Sequence, residues 1–488
     1  MLPILSLMIL IPLLASILAY VIGKYSERGV RLFSFIMSLS ILTFALLLYG
    51  IIITSDSGGE MNFEEGPWAW IPTFQGVDYH LGLDGLSAPL VLISAFLTVL
   101  VVLGSWKLIK KRQPLYYALI FLFEGCIIGV FTSLNLILFY VFWELTLIPM
   151  FFFIGIWGGS RRKYAAMKFF LFTYAGSLIM LLGFLALYVF GAPTFDMVAL
   201  SLIQIPFWVQ TLVTIATFIG FGVKLPVVPF HTWLPDAHVE APAPISVLLA
   251  GVLLKMGGYG FIRVNLTLLP EASEAYAWFF IAIGVITMFY GAIVAMTQKD
   301  MKRLIALTSV NHMGFVLVGA YTLSSYGVAG SIFQMFNHAI AIGLLFMLTG
   351  YIHDQAGTRE IPLLRGLKDT MPNTATILVL ASTAGMGVPV FAPFVSEYMV
   401  IVGAISYDTI LAITVFVPMI TAAYFLWMLK RILMTPVDKS GKKHKDMDLT
   451  SVLHLSLYLA PLLLLLIFPW LVLDMVNLFT ENLLGLFR

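Results

Sequence analysis

The chain has 488 residues, of which 60% are apolar and only 11% are Asp, Glu, Lys or Arg. An ordinary soluble domain is about 25% charged, so this composition excludes a soluble fold. Apolar runs such as 2–23, 31–54 and 451–476 match the roughly twenty residues that a helix needs to cross about 30 Å of hydrocarbon. Because lipid offers no partner to an unpaired backbone amide, these runs predict an all-α polytopic membrane protein.

The amino-terminal run is predicted to be a retained span rather than a cleaved signal peptide, because it is long, has no basic residues before it and is followed by many similar spans. Cys126 is the only cysteine. It is interpreted as a packed core residue. A single thiol excludes an intrachain disulfide and an iron–sulfur cluster held by this chain's own cysteines.

Hydropathy and breaker residues predict fourteen spans. Their approximate limits are 2–22, 31–54, 85–106, 114–132, 134–157, 164–190, 206–230, 241–264, 275–297, 301–321, 327–352, 373–406, 408–434 and 451–476.

The basic residues support this count, because cytoplasmic loops collect lysine and arginine. All of them except Lys224, Lys255, Arg263 and Arg488 fall in or beside the odd-numbered loops. The long loop 55–84 carries acids but neither lysine nor arginine. Both termini are therefore predicted to face the outside of a prokaryotic cell membrane. The basic stretch from Lys439 to Lys445 is expected to be a solvated loop near anionic lipid head groups.

Two spans are interrupted by prolines, span 7 by Pro226 and Pro229 and span 12 by Pro389 and Pro393. Proline removes a backbone hydrogen bond and kinks a helix, and a break at membrane depth usually lines a cavity. The two breaks also share a Gly-x-Gly-Val start and a Pro-Phe end. Because they lie five spans apart, the second copy must be inverted, as in transporters that hold an ion path at the repeat interface. Coincidental glycine and proline kinks are the alternative.

Ionisable residues inside the spans are costly and mark candidate sites. With the loop charges set aside, the candidates are Glu124, Glu144, Lys224, Lys255, Arg263, His312, His338 and Glu397. Ordinary explanations exist for several: Arg263 is near a span end and is expected to snorkel to the interface, Glu124 fits a satisfied structural carboxylate, and the two histidines fit hydrogen-bonded core residues.

The remaining four, Glu144, Lys224, Lys255 and Glu397, have no such explanation and predict a proton relay. At about 4 Å and an effective dielectric near 20, an ion pair is worth about 4 kcal/mol. Moving one charge against 100 mV costs about 2.3 kcal/mol. Making and breaking one buried Glu–Lys pair is therefore large enough to load and unload a proton.

Long motifs surround these residues. They are 224–242, Val252–Gly260, Phe142–Leu145 with Ile148–Met150, Gln298–Ala306 and Asn311–Gly314. Together they resemble the antiporter-like, proton-pumping membrane subunits of respiratory complex I and related archaeal and bacterial dehydrogenases, most closely the chain M, or subunit-4, type. The resemblance runs through nearly the whole chain.

The resemblance implies two inverted five-helix repeats, spans 4–8 and 9–13. The chain would then divide into 1–112, the first repeat 113–264, the second repeat 265–434, and a basic loop with the last span, 435–488.

The resemblance also implies residue roles. Glu144 would pair with Lys224, Lys255 would be the central relay, and Glu397 would face the outer exit, with His312 and His338 between the last two. Three further residues, His231, Asp236 and His238, would help to shape the bend after the broken span 7.

No cofactor is expected in this chain, whereas flavin and iron–sulfur clusters are expected in partner subunits. The implied partners are antiporter-like chains of the L and N types on both flanks and lipids, with no nucleic acid. In complexes of this family, the electron donor is NADH, ferredoxin or a reduced deazaflavin coenzyme, and the acceptor is a quinone or an archaeal phenazine carrier.

Two other functions remain open. One is the D-type subunit of a multisubunit sodium/proton antiporter, which shares the fold and related motifs. The other is an electron carrier with haem between His312 and His338, although the lone cysteine excludes c-type attachment.

Overall fold

The computed structural model describes residues 3–54, 61–436 and 445–487. Most of the predicted basic stretch, including Lys439, Lys442 and Lys443, lies outside the described residues, as do the acids Asp56 and Glu60 of the first long loop.

The first half of the chain forms helices separated by one β-hairpin. These elements are α1 (Ile4–Tyr25), α2 (Glu27–Thr54), β1 (Phe63–Ala69), β2 (Asp78–Leu83), α3 (Ser87–Leu108), α4 (Gln113–Thr132), α5 (Leu136–Leu145), α6 (Leu147–Trp157), α7 (Arg162–Ala186), α8 (Met197–Ser201), α9 (Phe207–Lys224), α10 (Trp233–Glu240), α11 (Ala243–Leu248) and α12 (Leu254–Gly260).

The second half is helical as well. Its helices are α13 (Pro270–Ala275), α14 (Ala277–Met296), α15 (Met301–Tyr321), α16 (Ser325–Ala356), α17 (Leu367–Thr370), α18 (Pro372–Gly385), α19 (Pro393–Tyr407), α20 (Phe416–Leu433), α21 (Leu449–Ile467) and α22 (Trp470–Gly485).

Polar side chains mark where several helices begin. A helix leaves its first backbone N–H groups without partners, and Asn, Asp or Ser at the N-cap accepts from them. Asn135 accepts from the Ile137 amide at 3.1 Å before α5, Asp300 from the Arg303 amide at 3.0 Å before α15, and Ser324 from the Gly327 amide at 3.1 Å before α16. These caps set the boundaries of helices whose apolar bodies lie in lipid.

The predicted all-α membrane fold is confirmed. Among the described residues, thirteen helical segments are long and apolar enough to cross a membrane. The predicted span 12 contains instead the two shorter helices α18 and α19, which the break separates. The exact count of fourteen spans, the inverted repeat and the division of the chain into 1–112, 113–264, 265–434 and 435–488 remain predictions.

Three spanning segments form the centre of the fold. The most apolar windows of Ala243–Leu266, Met301–Tyr321 and Ser325–Ala356 are entirely buried, whereas those of α1 and α2 are only 39% and 33% buried. The outer helices therefore face lipid and shield the inner three. Those three carry Lys255, His312 and His338, which places these side chains where an unpaired charge is most costly.

A hairpin, which the all-α prediction does not include, covers one end of the helices. Strands β1 and β2 pair antiparallel, with Phe63 opposite Leu83 and an irregularity between Glu65 and Trp68. The Glu65 carboxylate accepts hydrogen bonds from the Leu5 and Ser6 amides at 2.5 and 3.0 Å and from the Ser6 hydroxyl. It thus satisfies free amides at the start of α1 and holds the amino terminus at this end, called here the hairpin face.

The opposite end is called here the basic face. Ion pairs hold it together, each between a lysine or arginine and an acid from a different part of the chain. Lys107 pairs with Asp448 at 2.5 Å, Lys168 with Asp236 at 2.7 Å, and Arg359 with Asp300 at 2.7 Å. The charge asymmetry seen in the sequence is therefore an asymmetry of the two ends of the fold.

The predicted last span, 451–476, is wrong at its end. α21 stops at Ile467 and α22 begins at Trp470, because Pro469 lacks the N–H that would continue the helix. A hydropathy average does not register one proline in an apolar run. α22 packs with Met475 and Phe479 against Gly85 beside the hairpin, so the carboxyl terminus also lies at the hairpin face.

The expectation that Arg263 snorkels to the interface is also wrong. Its guanidinium is buried and donates to Asp84 Oδ2 at 2.6 Å, with a second hydrogen bond to the Tyr259 hydroxyl at 3.2 Å. Asp84 in turn accepts from the Ser87 amide at 3.0 Å. This buried pair fastens the end of the hairpin and the start of α3 to the helix that follows Lys255.

Replacing Asp84 by Ala would leave the Arg263 charge buried without its carboxylate. We expect Asp84→Ala to lower the free energy of unfolding by about 3–5 kcal/mol, measured by thermal or denaturant unfolding in detergent. Lys107→Ala breaks an ion pair whose side chains are 40% and 55% exposed, and should cost about 1 kcal/mol or less. Equal losses in the two variants would contradict the structural role of the buried pair.

Candidate functional site

Lys255 lies at the centre of the molecule on α12, with its side chain fully buried. Its ammonium group donates to the Ala250 carbonyl oxygen and contacts His338 Nδ1, each at 2.6 Å. A π-helical turn, Leu249–Leu253, directly precedes α12, and such turns are frequent at functional sites because they alter the regular helical hydrogen bonding. The sequence-predicted relay lysine is therefore in direct contact with a sequence-predicted histidine.

Two histidines continue from Lys255 toward Glu397. His338 on α16 and His312 on α15 have ring centroids 5.4 Å apart and nearly perpendicular rings. His312 Nε2 then lies 3.6 Å from Glu397 Oε1 on α19. Four buried ionisable groups from four helices thus form one continuous series, which ends in a lysine on one side and a carboxylate on the other.

The broken helix presents Glu397 to this series. α18 ends at Gly385 and α19 begins at Pro393, and between them Gly387 adopts φ +67°. A side chain at this glycine would collide with the Glu397 carboxylate. The break therefore brings the backbone close to a buried acid, as a glycine in the left-handed region permits.

Hydrogen-bonding groups that the sequence analysis did not single out surround Glu397. The Ser396 hydroxyl donates to Gln334 Oε1 at 2.5 Å, and Asn337 Nδ2 lies 3.2 Å from both Ser396 Oγ and the Ala392 carbonyl oxygen. These residues join α16 to the start of α19. Their signal in the sequence is weak because Ser, Asn and Gln are uncharged and occur widely in membrane helices.

Glu144 and Lys224 lie in the first half of the chain at the ends of α5 and α9. They do not form an ion pair within 4 Å in the described structure, although they are near enough for their charges to interact. The Lys224 ammonium lies 5.2 Å from the centroid of the Trp143 ring, within the range of a cation–π contact. The predicted Glu–Lys pair is thus present as neighbours in an open arrangement.

The residues expected at the bend after span 7 have separate surroundings. Asp236 on α10 binds Lys168 of α7 at 2.7 Å, and His231 packs edge-on against Tyr290 at 4.7 Å. His238 reaches further inward and stacks on Phe346 of α16 at 4.4 Å. The His238 ring is near enough to Lys302 and to Lys255 for the charges of both to act on it.

Lys302 is a site residue that sequence reasoning missed. The sequence analysis counts it among the basic residues in or beside the loop after span 9, whereas the structure buries the side chain and directs its ammonium to the Ala241 carbonyl oxygen. A cavity of about 740 Å³ opens beside it at the basic face. The cavity wall includes Glu240, His353 and Arg359, so water at this face reaches the shell around Lys302.

Glu124 stands apart from the series. It is buried on α4 beside Thr98 of α3, and Arg263 belongs to the structural pair with Asp84. Of the predicted candidates, the structure joins Lys255 to His338 by a hydrogen-bond contact, places His312 and Glu397 next in line without hydrogen bonds between them, and places Glu144 near Lys224. No group of three or more His, Cys, Asp or Glu side chains arranged to hold a metal occurs in the described part of the chain.

Comparison with known proteins bears on the whole chain. Residues 133–421 match the family model described as NADH:quinone oxidoreductase/Mrp antiporter, transmembrane, and residues 68–141 match the model described as NADH-ubiquinone oxidoreductase chain 4, amino terminus. The chain is 37% identical to NADH-quinone oxidoreductase subunit M of Rickettsia prowazekii, with 99% of each chain covered. It is 36% identical to F420H2 dehydrogenase subunit M of Methanosarcina mazei, covering 98% of this chain and 97% of that one.

Among solved structures, a chain of respiratory complex I from Thermus thermophilus with bound NADH superposes with a TM-score of 0.89 at 27% identity. The superposition covers 99% of this chain and all of that chain. A family model matched over more than half of the chain and relatives matched from end to end lead to one conclusion: this protein belongs to the NADH:quinone oxidoreductase/Mrp antiporter family of transmembrane subunits.

Proposed function

We propose that the chain is the M-type, proton-translocating subunit of a complex I-type respiratory dehydrogenase. The observation that carries the proposal is the continuous buried series Lys255–His338–His312–Glu397. Lysine, histidine and glutamate all bind and release protons, and each can reach its neighbour by a small side-chain motion or through one water. Ionisable residues in the core of a membrane protein mark ion paths and proton relays.

The direction of transfer follows from the charged loops. Since lysine and arginine collect on the cytoplasmic side, the basic face is assigned to the cytoplasm and the hairpin face, with both termini, to the outside. The cavity beside Lys302 is then the cytoplasmic approach, and His238, which is near both Lys302 and Lys255, is proposed as the step between them. Glu397 is the end of the series from which the proton leaves toward the outside.

Glu144 and Lys224 act as the switch in this proposal. When they approach, the ion pair gains about 4 kcal/mol at an effective dielectric near 20. When they separate, as in the present structure, the Lys224 ammonium lies against the Trp143 ring. Its charge is then no longer balanced by the Glu144 carboxylate, which favours release of the Lys224 proton toward Lys255. The free energy gained by forming the pair exceeds the roughly 2.3 kcal/mol that is needed to move one charge against 100 mV.

Electron transfer belongs to other subunits in this proposal. Flavin and iron–sulfur clusters are assigned to peripheral partners, and antiporter-like chains of the L and N types to the two flanks within the membrane. The donor is NADH or a reduced deazaflavin coenzyme, in keeping with the two kinds of M subunit that the chain resembles. Isolation of the intact complex in mild detergent, with identification of the copurifying subunits, tests this assignment.

Breaking the switch should stop pumping. We expect Glu144→Ala and Lys224→Ala each to lower proton translocation by the assembled complex about tenfold or more, because the lost pair is worth several kcal/mol. The measurement is acidification of vesicles that contain the reconstituted complex. Lys107→Ala, which removes an exposed lysine at the basic face, is the matched control and should pump normally. Full pumping by both switch variants would place the relay elsewhere.

The histidines should behave as steps in series. We expect His338→Ala and His312→Ala each to slow pumping, and the double variant to be no slower than the slower single one, because an interrupted series is not interrupted further by a second gap. Pumping rates of the three variants decide this. His454→Gln removes a buried histidine outside the series, bonded to Tyr351 and the Leu100 carbonyl oxygen, and should not slow pumping. Multiplying defects would contradict a single path.

The transported ion is tested separately. We expect the reconstituted complex to build a pH gradient at the same rate in sodium-free potassium buffer as in sodium buffer, because Lys, His and Glu side chains exchange protons directly. Transport that requires sodium and continues after all redox partners are removed would identify a D-type sodium/proton antiporter subunit instead.

A further inference from the structure

Three connections of the chain meet at one point of the hairpin face. The His80 carbonyl oxygen accepts from the Leu134 amide at 2.9 Å, and the Gly76 carbonyl oxygen accepts from the Phe195 amide at 3.2 Å. The Asn135 side chain also donates to the Gly76 carbonyl oxygen at 3.0 Å. The hairpin is thereby joined to the start of α5 and to the loop before α8.

His80 sits at the centre of this junction with 1% of its surface exposed. Its Nε2 lies 2.8 Å from Glu64 Oε1, and its Nδ1 contacts Asp196 Oδ2. Glu64 belongs to β1, His80 to β2, and Asp196 caps α8 by accepting from the Ala199 amide at 2.8 Å. One imidazole therefore connects carboxylates from two separate connections.

The geometry requires a proton on both ring nitrogens. A neutral imidazole has one N–H donor and one lone pair, so it can serve only one of two carboxylates that accept and cannot donate. With both nitrogens against carboxylate oxygens, the imidazolium form satisfies both contacts with charge-assisted hydrogen bonds. The relay does not use this cluster, and among the described residues no hydrogen bond or ion pair joins the two.

We propose that Glu64, His80 and Asp196 form a proton-binding site at the hairpin face, and that its bound proton locks the hairpin onto the entry to α5 and the loop leading through α8 to α9. These two segments lead to Glu144 and Lys224. The site rests on the proposed function only for the assignment of this face to the outside, where pumped protons accumulate.

The sign of its pH dependence follows from the surrounding charges. Burial alone would lower the pKa of His80, but the hydrogen bonds and charges of Asp196 and then Glu64 outweigh it and raise the pKa. The other acid on β1, Glu65, is turned toward Ser6, Asp78 opens β2, and no lysine or arginine forms an ion pair with Glu64 or Asp196 among the described residues. The lock is therefore complete below the ordinary histidine pKa of about 6.5 and opens as the outer pH rises through the raised pKa.

Hydrogen–deuterium exchange on the purified, intact complex tests the site. The peptides that contain Leu134 and Phe195 report the junction amides. After correction for intrinsic exchange, we expect their protection to fall about tenfold between pH 6 and pH 9, because a charge-assisted hydrogen bond is lost. In His80→Gln the protection should be low at every pH. Glu64→Gln, which keeps the Asp196 contact, should move the transition to lower pH.

His454→Gln, which alters a histidine outside both the relay and this cluster, is the matched control and should leave the transition in place. Protection that does not change with pH in the unaltered complex, or a transition that persists in His80→Gln, would overturn the proposal. If His80→Gln fails to assemble, the direction of the shift in Glu64→Gln decides alone. Pumping is measured on the same preparations, so a failed lock with intact pumping leaves the proposed function standing.

Discussion

The contact between the Lys255 ammonium and His338 Nδ1, 2.6 Å long and fully shielded from lipid, is the interaction on which the rest of the structure depends. A charged lysine in hydrocarbon is costly, and the cost falls only when polar neighbours replace its hydration shell. Three entirely buried helical segments supply that shell. The lipid-facing helices surround these three segments and keep the Lys255 side chain away from lipid.

The two broken helices place the switch lysine and the exit carboxylate. A regular helix has no free backbone groups to offer, whereas a break at membrane depth exposes them where protein or water satisfies them. The first break follows directly on Lys224, and the second holds Glu397 against Gly387. The switch lysine and the exit carboxylate are thus both placed by proline and glycine, which are structural residues with no acid–base chemistry.

Much of the fold was predictable because its causes are local. Apolar runs predict spans, the distribution of lysine and arginine predicts two unlike faces, and proline pairs predict the breaks in spans 7 and 12. Errors occurred where a partner distant in sequence decides the outcome. Arg263 is buried because Asp84 meets it across 179 positions, and Lys302 is buried because the Ala241 carbonyl oxygen accepts from it. No local pattern contains either partner.

The site divides in the same way. Ionisable residues within the spans, including the two histidines, were singled out by cost alone, and the family resemblance gave the histidines a place between Lys255 and Glu397. The sequence did not single out the supporting residues Gln334, Asn337 and Ser396, because uncharged polar side chains are common in membrane helices. It did not single out the cluster around His80 either, because acids are common in loops. Only the fold shows that both nitrogens of His80 face carboxylates.

Proton passage through Lys255 is tested by the number of protons that the reconstituted complex moves per electron pair. We expect Lys255→Met to lower this ratio relative to the unaltered complex, measured with the same donor and acceptor and in vesicles of equal tightness. A ratio that stays the same at an undiminished rate of electron transfer would contradict it.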